Sequence, residues 1–184
     1  MTEDRPSRSR PAILLRRALF FRWFVYIQRY SFRDVMRKER SVIGRSERGD
    51  FPALGLKRVG LKIDTGAYSS AIHCTKIEIS DEGLLSVIFL ADNEAGFTGK
   101  ELNFRRFERR RIKSSSGHSE LRYAIETELS LAGKVYEVRL TLTDRSAMRV
   151  PVLLGRRFLK RNKFVVDPSR RYQLTGKSGK TNKL

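Results

Sequence analysis

The sequence predicts an all-β domain, and two features of its apolar pattern support that prediction. Apolar residues alternate with polar ones over several short stretches, which is typical of half-buried strands. Glycine and proline separate these stretches at close intervals, as expected for turns. Hydrophobic residues make up 40% of the 184-residue chain, so a packed core is expected rather than a disordered chain. We therefore expect a sandwich or a closed barrel.

The first strands are expected in the segment from residue 42 to residue 90. Residues 42–44 open the β region, and the proline and glycine of 51–56 indicate a turn. Residues 59–63 alternate between apolar and other side chains, which predicts a half-buried strand. A further apolar strand is expected at 85–90.

The second half of the domain is expected to contain a long hairpin. Two alternating runs, at 123–131 and 135–142, are separated by the short glycine-containing turn Ala132-Gly133-Lys134. The remaining predicted elements are a strand at 150–154, one or two helical turns at 156–163, and a strand at 164–167 with a turn after it.

Composition excludes several classes of protein. The single cysteine, Cys74, excludes an internal disulfide and a four-cysteine zinc site. No apolar run approaches the roughly 20 residues that span a bilayer, so no transmembrane segment is expected. The uncharged apolar runs near the start, 18–21 and 23–27, are short for the roughly 7–15-residue core of a secretory signal. We expect a cytoplasmic protein.

Three regions are expected along the chain. Residues 1–40 form a basic, aromatic-rich extension, which is interpreted as an interfacial helix on a membrane, a helix packed on the domain, or a segment with little fixed structure. Residues 41–174 form the β domain. Residues 175–184 form a basic tail that is expected to be disordered.

The chain is strongly basic, with 39 Lys and Arg against 20 Asp and Glu and a net charge of +19. One cluster could hold an acidic protein, RNA or a ribosomal surface, or it could be a solvated face without a partner. Its members are Arg105, Arg106, Arg109, Arg110 and Arg111. Phe104 and Phe107 interleave with these arginines, either to stack on bases or to anchor the segment to the core.

The candidate catalytic residues are Asp64, Thr65 and Gly66, directly after the predicted strand at 59–63. On its own this triplet is open to two interpretations. It is either a catalytic loop or an Asx-type turn, in which Asp64 caps its own backbone and Gly66 supplies a positive φ.

Two longer segments resemble the retropepsins, the dimeric aspartic proteases. Leu-Lys-Ile-Asp-Thr-Gly-Ala at 61–67 resembles their active-site strand, and Val-Leu-Leu-Gly-Arg at 152–156 resembles their second signature. The resemblance implies a closed acid-protease barrel with one lobe per chain, in which the second segment packs beneath the aspartate loop. It also places a flap at 112–118 and implies an insertion between the two signatures.

Segments 62–74 and 140–159 are similar to a bacterial family of retropepsin-like proteins, over about 42–174. That family is often labelled an ATP-dependent zinc protease, and some members are associated with a ribosomal-protein glutamate ligase. The sequence contains no His-Glu-x-x-His motif. His73 and Cys74 are adjacent, so on a strand they point to opposite faces. We expect no metal and no cofactor.

The resemblance implies an aspartic endopeptidase that hydrolyses peptide bonds. Asp64, Thr65 and Gly66 would be catalytic, and substrate would contact Ala67, Ser116, Gly117, Gly155 and Arg156. Such chemistry needs two carboxyls that share one proton, so a homodimer must supply the second Asp64. Tyr68 stands where retropepsins commonly carry an aspartate that pairs with the arginine, so Arg156 needs another partner.

The alternative function is a non-catalytic basic β-barrel module. In that case Asp64 is a structural turn residue and the arginine cluster holds RNA, a ribosomal protein or another acidic partner.

Overall fold

The computed structural model describes residues 40–113 and 119–176. In this part of the chain the strands are β1 (Ser41–Gly44), β2 (Ser46–Phe51), β3 (Leu56–Asp64), β4 (Ser70–Ile79), β5 (Leu85–Phe89), β6 (Glu101–Phe104), β7 (Glu108–Lys113), β8 (Ser119–Leu131), β9 (Lys134–Thr143), β10 (Val152–Gly155) and β11 (Phe164–Asp167). A 3₁₀ turn spans Pro52–Leu54, and the short helix α1 spans Arg156–Arg161. The expectations for 1–39, for Ser116 and Gly117 and for 177–184 lie outside the described residues. Thr175, the first residue of the tail that was expected to be disordered, is described, and it donates two hydrogen bonds to Glu47.

Six strands close into a barrel in the order β10-β3-β2-β8-β9-β4, and β4 pairs back with β10. Two of these pairings, β3 with β10 and β4 with β9, are parallel, and the other four are antiparallel. The prediction of an all-β, retropepsin-like closed barrel is therefore confirmed. No helix in the described part of the chain is long and apolar enough to cross a membrane.

The core fills the interior of this barrel with aliphatic side chains. Alternate residues of β3 are buried, as the pattern at 59–63 predicts. The largest fully buried side chains are Phe51, Ile43, Leu56, Leu61, Ile72, Leu85, Leu90, Ile125, Leu129, Leu131, Leu140 and Leu142. Burial of aliphatic side chains of this size is the main favourable contribution to folding.

The long hairpin is β8 and β9, and its turn has the geometry that a two-residue connection requires. Ala132 has φ 52° and Gly133 has φ 75°. Positive φ at both central residues is the mark of a type I′ turn, whose twist matches that of the flanking strands. The predicted hairpin is confirmed.

Strand β4 was not expected from the sequence. Its first five residues are all buried, so they do not alternate between apolar and polar positions. The reason is that this part of β4 is a strand of the barrel wall, paired with β9 on one side and β10 on the other, and both of its faces are buried. Beyond Cys74 the same strand leaves the barrel and pairs with β5.

The segment between β4 and β7 adds β5 and β6 to the outer part of β4. Phe104 meets Phe89 edge to face at a ring-centroid distance of 6.0 Å, and Phe107 meets Tyr123 in the same way at 5.5 Å. Both phenylalanines pack against the core. This packing favours the interpretation that the two phenylalanines anchor the segment to the core.

Candidate active site

Asp64 is the last residue of β3 and lies next to the second signature segment. Strands β3 and β10 run parallel, and their register aligns Asp64 with Gly155. The loop after Asp64 then leads into β4, which also pairs with β10. The two segments that resemble retropepsin signatures are therefore brought together in space, although 89 residues separate their glycines.

The two oxygens of the Asp64 carboxylate have different surroundings. Oδ1 accepts hydrogen bonds from the backbone N–H groups of Gly66 at 3.0 Å and Ala67 at 3.1 Å. Oδ2 lies 3.7 Å from Nζ of Lys62, and the Asp64 side chain is 27% exposed. Ion pairs this exposed contribute little to stability. One oxygen is thus fixed by the loop, and the other faces the surface.

The hydrogen bonds of Asp64 reproduce one of the two features of the Asx-type turn that the triplet alone suggested. Asp64 does cap its own loop, but Gly66 is not among the glycines with positive φ. The expectation that Gly66 supplies a left-handed conformation is wrong. A Cβ at Gly66 would lie 3.3 Å from Asp64 Oδ1, so the small side chain keeps that oxygen uncrowded.

Gly155 is buried beneath the loop that follows Asp64, at a distance that only a glycine allows. A Cβ there would lie 2.5 Å from the carbonyl oxygen of Ser69 and 3.0 Å from that of Ala67. Its N–H donates to Oγ of Ser70 at 3.1 Å. The next N–H, of Arg156, donates to the carbonyl of Ala67 at 2.8 Å. These contacts attach the loop to the start of α1.

Arg156 finds its partner in the residue that replaces the expected aspartate. Its guanidinium lies 5.5 Å from the ring centroid of Tyr68, in cation–π contact. Tyr68 itself is 60% exposed. Within the described residues, Arg156 makes this ring contact and no ion pair.

The structure describes Thr65 and Ala67 among the remaining predicted site residues, but not the tip of the expected flap. Thr65 is exposed in the single chain, and Ala67 is half-buried. Strands β7 and β8 pair from Glu108–Ala124 out to Lys113–Ser119, which flanks the expected flap tip. The tip itself, with Ser116 and Gly117, lies in the undescribed segment 114–118.

A cavity of about 690 Å³ adjoins the loop after Asp64, where that loop leads into β4. Tyr68, Ser69 and Ser70 form the wall nearest the loop, and the strands β7, β8 and β9 and the helix α1 form the rest. Asp64 does not line this cavity. Three members of the arginine cluster, Arg109, Arg110 and Arg111, line the cavity, although the sequence did not predict one there.

Arg145, which the sequence analysis did not single out, is half-buried beside His73. Its backbone N–H donates to Nδ1 of the buried His73 at 2.8 Å, and its Nε is buried without an acceptor among the described residues. Burial lowers the pKa of the Arg145 guanidinium, the charge of Arg122 lowers it further, and the charges of Asp64 and Glu94 oppose that change.

His73 and Cys74 are both buried, and the described ranges contain no group of three or more His, Cys, Asp or Glu side chains that could hold a metal ion. Nε2 of His73 has no hydrogen-bond partner in the same part of the chain. Burial raises the pKa of the Cys74 thiol, so the reactive thiolate is disfavoured.

The members of the arginine cluster differ in their contacts. Arg105, Arg106 and Arg111 are exposed. Arg109 lies over the ring of Tyr123 at 5.7 Å, and Arg110 Nε lies 2.7 Å from an oxygen of Glu108. Binding of a partner by this cluster stays a prediction.

Comparison with known proteins adds independent information. The family model of the retropepsin-like aspartic endopeptidase RimB matches residues 42–176. That range contains the whole barrel, Asp64 and both signature segments.

Three curated relatives illustrate the sequence similarity, and each carries the name "Probable alpha-L-glutamate ligase". The chain is 38% identical to the protein of Shewanella pealeana over 144 residues, 37% to that of Shewanella halifaxensis over 144 residues, and 33% to that of Desulfotalea psychrophila over 142 residues. These matches cover 76%, 76% and 71% of this chain. They cover only 31%, 31% and 28% of the relatives, so the chain spans about a third of their length.

One solved structure shares the fold. A Legionella pneumophila protein of unknown function superposes with a TM-score of 0.55 at 23% sequence identity, covering 74% of this chain and all of that one. The barrel, the paired signature segments and the family match over 42–176 agree. The chain belongs to the RimB-like family of retropepsin-like aspartic endopeptidases.

Proposed function

We propose that this protein is an aspartic endopeptidase whose site contains two Asp64 carboxyls, one from each chain of a homodimer. The geometry of Asp64 is the observation that carries the proposal. Its Oδ1 is held by two backbone N–H groups, Oδ2 has no backbone partner within 40–113 and 119–176, and the loop is attached to Gly155. A carboxylate held in this way is preorganised, with one oxygen available for chemistry.

Hydrolysis would use the two carboxyls in different protonation states. Two carboxyls in close contact share one proton, because like charges at short range disfavour double ionisation. The ionised partner accepts a proton from the attacking water, and the protonated partner donates a hydrogen bond to the scissile carbonyl. The tetrahedral intermediate then breaks down: the carbon–nitrogen bond breaks as the carboxyl that took the proton from water gives it to the leaving nitrogen. A single chain has only one Asp-Thr-Gly, so the second carboxyl must come from a copy.

A small apolar patch supports contact between two copies. Strands β1 and β11 pair in parallel, with Val42 beside Val165. These valines are 41% and 42% exposed. The sheet formed by β1 and β11 has only these two strands within the described residues. We propose that a second copy covers this patch.

The substrate is a peptide in an extended conformation. The cavity of about 690 Å³ begins at Tyr68, Ser69 and Ser70, directly after the catalytic loop. A peptide that lies across Asp64 would continue into this cavity. The Tyr68 and Arg156 side chains would then contact it at the entrance.

The name of the curated relatives suggests a competing activity, the ligation of glutamate. The matched region is the smaller part of those proteins, and the family model describes it as an endopeptidase. We therefore assign peptide hydrolysis to this region. Incubation of the chain with glutamate, ATP and an acceptor peptide tests for the alternative, because ligation would increase the mass of the peptide.

The decisive experiment compares the wild-type protein with Asp64→Asn on a peptide library made from a digested proteome. Asparagine retains Oδ1, so the two hydrogen bonds to the loop persist and the fold should be unchanged. It removes the ionisable carboxyl, so cleavage should fall at least about 1,000-fold. Mass spectrometry of new peptide termini measures the cleavage.

A matched control is Asp81→Asn, an exposed aspartate outside the site, which should leave cleavage unchanged. Substantial cleavage by a pure Asp64→Asn protein would contradict the aspartic mechanism. If the wild-type protein cleaves nothing and instead retains RNA or an acidic protein, the alternative of a basic binding module is favoured.

A further inference from the structure

The carboxylate of Glu47 is buried deeply at the start of β2. The residue is only 1% exposed, and no Lys or Arg of the described residues forms an ion pair with it. A buried carboxylate is costly unless hydrogen bonds compensate for its lost hydration. The surroundings of Glu47 should therefore contain several donors.

Five hydrogen bonds reach this carboxylate, and four of them come from one short segment. Oε1 accepts from the N–H groups of Gln173 at 2.8 Å and Leu174 at 3.2 Å. Oε2 accepts from the N–H of Thr175 at 3.2 Å and from its hydroxyl at 2.8 Å. The fifth donor is the N–H of Gly44, which reaches Oε1 at 3.0 Å. Charge-assisted hydrogen bonds of this kind are among the stronger ones in proteins.

These bonds hold residues 170–176, which we call the C-terminal segment, against the connection between β1 and β2. The N–H of Arg45 donates to the carbonyl of Arg170 at 2.8 Å, and the N–H of Tyr172 donates to the carbonyl of Ser46 at 2.7 Å. A Cβ at Gly44 would lie 2.8 Å from the carbonyl oxygen of Arg170, so the two backbones are in close contact.

The same connection reaches the catalytic strand. Arg45 accepts, at its carbonyl, a hydrogen bond of 3.0 Å from the N–H of Ile63. Ile63 immediately precedes Asp64. A continuous path of backbone hydrogen bonds thus runs from the C-terminal segment through Arg45 to the residue before the catalytic carboxylate.

We infer that Glu47 is a positioning residue for Asp64, which acts by holding the C-terminal segment against Arg45. This inference rests on the proposed function. Release of the segment frees the N–H of Arg45 from Arg170 and allows the carbonyl that holds Ile63 to shift. Displacements of about 1 Å at a reacting group can cost roughly 100-fold in rate.

The test is Glu47→Gln, examined in two ways. Glutamine keeps one acceptor oxygen but points an N–H₂ group at the donors of Thr175. We expect amide hydrogen exchange at Ile63, followed by NMR, to become at least about ten-fold faster because its bond to Arg45 loosens. We also expect kcat on a cleaved library peptide to fall about ten-fold with KM changed less than about two-fold.

Two matched controls separate positioning from general loss of stability. The first control is Asp50→Asn, at the other end of β2. The Asp50 carboxylate accepts a hydrogen bond of 2.6 Å from the N–H of Arg58, and its replacement should leave kcat and the hydrogen exchange at Ile63 unchanged. Deletion of 177–184 retains the C-terminal segment and should also leave them unchanged. Deletion of 170–184 removes the segment and should reproduce the effect of Glu47→Gln.

Unchanged kcat and Ile63 exchange in Glu47→Gln, with faster exchange at 173–175, would overturn the inference. If Glu47→Gln does not fold, Thr175→Val is the substitute, because it removes only the hydroxyl that donates to Glu47. Unchanged hydrogen exchange at Ile63, both in Thr175→Val and in the deletion of 170–184, would then overturn the inference equally. If the wild-type protein cleaves no peptide, the proposed function fails, while the exchange at Ile63 still decides whether Glu47 controls the catalytic strand.

Discussion

At the scale of single residues, the site depends on how closely Gly155 approaches the catalytic loop. Its φ of −85° is available to any residue, so backbone conformation does not require a glycine there. The requirement comes from the carbonyl oxygens of Ser69 and Ala67, which leave no room for a Cβ. The glycine of the second signature is thus explained by packing between two segments that are distant in sequence.

Gly155→Ala should lower the free energy of unfolding by about 1–3 kcal/mol, because the added methyl group must push the loop backbone aside. Urea denaturation measures the change. Gly60→Ala is the matched control, since a Cβ there meets the nearest atom, Val150 Cγ1, at 3.4 Å. The control should change stability by less than about 1 kcal/mol, and an equal loss in both variants would contradict the packing argument.

At the scale of elements, the two strands of the β8–β9 hairpin are joined by a turn with one unfavourable residue. Ala132 has a positive φ of 52°, a conformation that costs an L-residue with a Cβ about 1–2 kcal/mol. Gly133 has the same kind of conformation without that cost. Pairing along the rest of the hairpin compensates for the strain at Ala132.

Ala132→Asn should raise the free energy of unfolding by about 0.5–1 kcal/mol, because Asn-Gly is the preferred sequence for a type I′ turn. The midpoint of thermal or urea unfolding reports the gain. Ala53→Asn provides the comparison, because this exposed residue lies in the 3₁₀ turn and is not among those with positive φ. A similar gain at residue 53 would mean that the turn is not the cause.

The turn after β11 makes a prediction about pH. Asp167 Oδ1 accepts from the hydroxyl of Ser169 at 2.5 Å and from its N–H at 2.9 Å, and these bonds hold the pKa of Asp167 below its ordinary value of 3.8. A lowered folded-state pKa means that the stabilisation is present above about pH 3.8 and is lost as the pH falls through the folded-state pKa.

Asp167→Asn should therefore be less stable than the wild-type protein at pH 6, and the difference should shrink as the pH approaches 2–3. Urea unfolding at several pH values measures it. Asp92→Asn serves as the reference, because this exposed carboxylate has no hydrogen bond or ion pair within the described residues. A difference at Asp167 that is independent of pH would rule out the linkage.

At the scale of the whole molecule, the proposed shared site requires two chains of the same charge to associate. The net charge is +19 for each chain, and the proposed site is incomplete without a second Asp64. Salt shortens the range of repulsion, with a screening length of about 8 Å at physiological ionic strength. Dimer formation should then depend on both concentration and salt.

Activity per chain should fall on dilution, and moderate salt should restore it at low protein concentration. Analytical ultracentrifugation and the peptide assay, run over the same concentrations, compare dimer fraction with activity. Val165→Asp should weaken the dimer by adding charge to the exposed apolar patch, whereas Val135→Asp, at an exposed valine on β9, should not. A protein that remains monomeric and cleaves at the full rate would exclude the shared site.

Much of the fold could be predicted because its signals are local. The alternation in β3, β8 and β9 and the turn at Ala132 and Gly133 are read from neighbouring residues. Strand β4 gave no such signal, because its first half is buried on both faces. Strands β2 and β7 were also missed, since their sequences are rich in charged residues and their strand conformation comes from pairing with β3 and β8.

The sequence by itself determined the family, the barrel class and the position of Asp64 at the end of a strand, because contiguous segments encode each of these. Only the tertiary structure decided which distant groups surround that strand. Gly155 beneath the loop, Arg145 against the buried His73, and Glu47 holding the C-terminal segment all depend on contacts between residues far apart in the chain. Such contacts leave no local pattern, because burial and hydrogen bonding are set by what the folded barrel brings together.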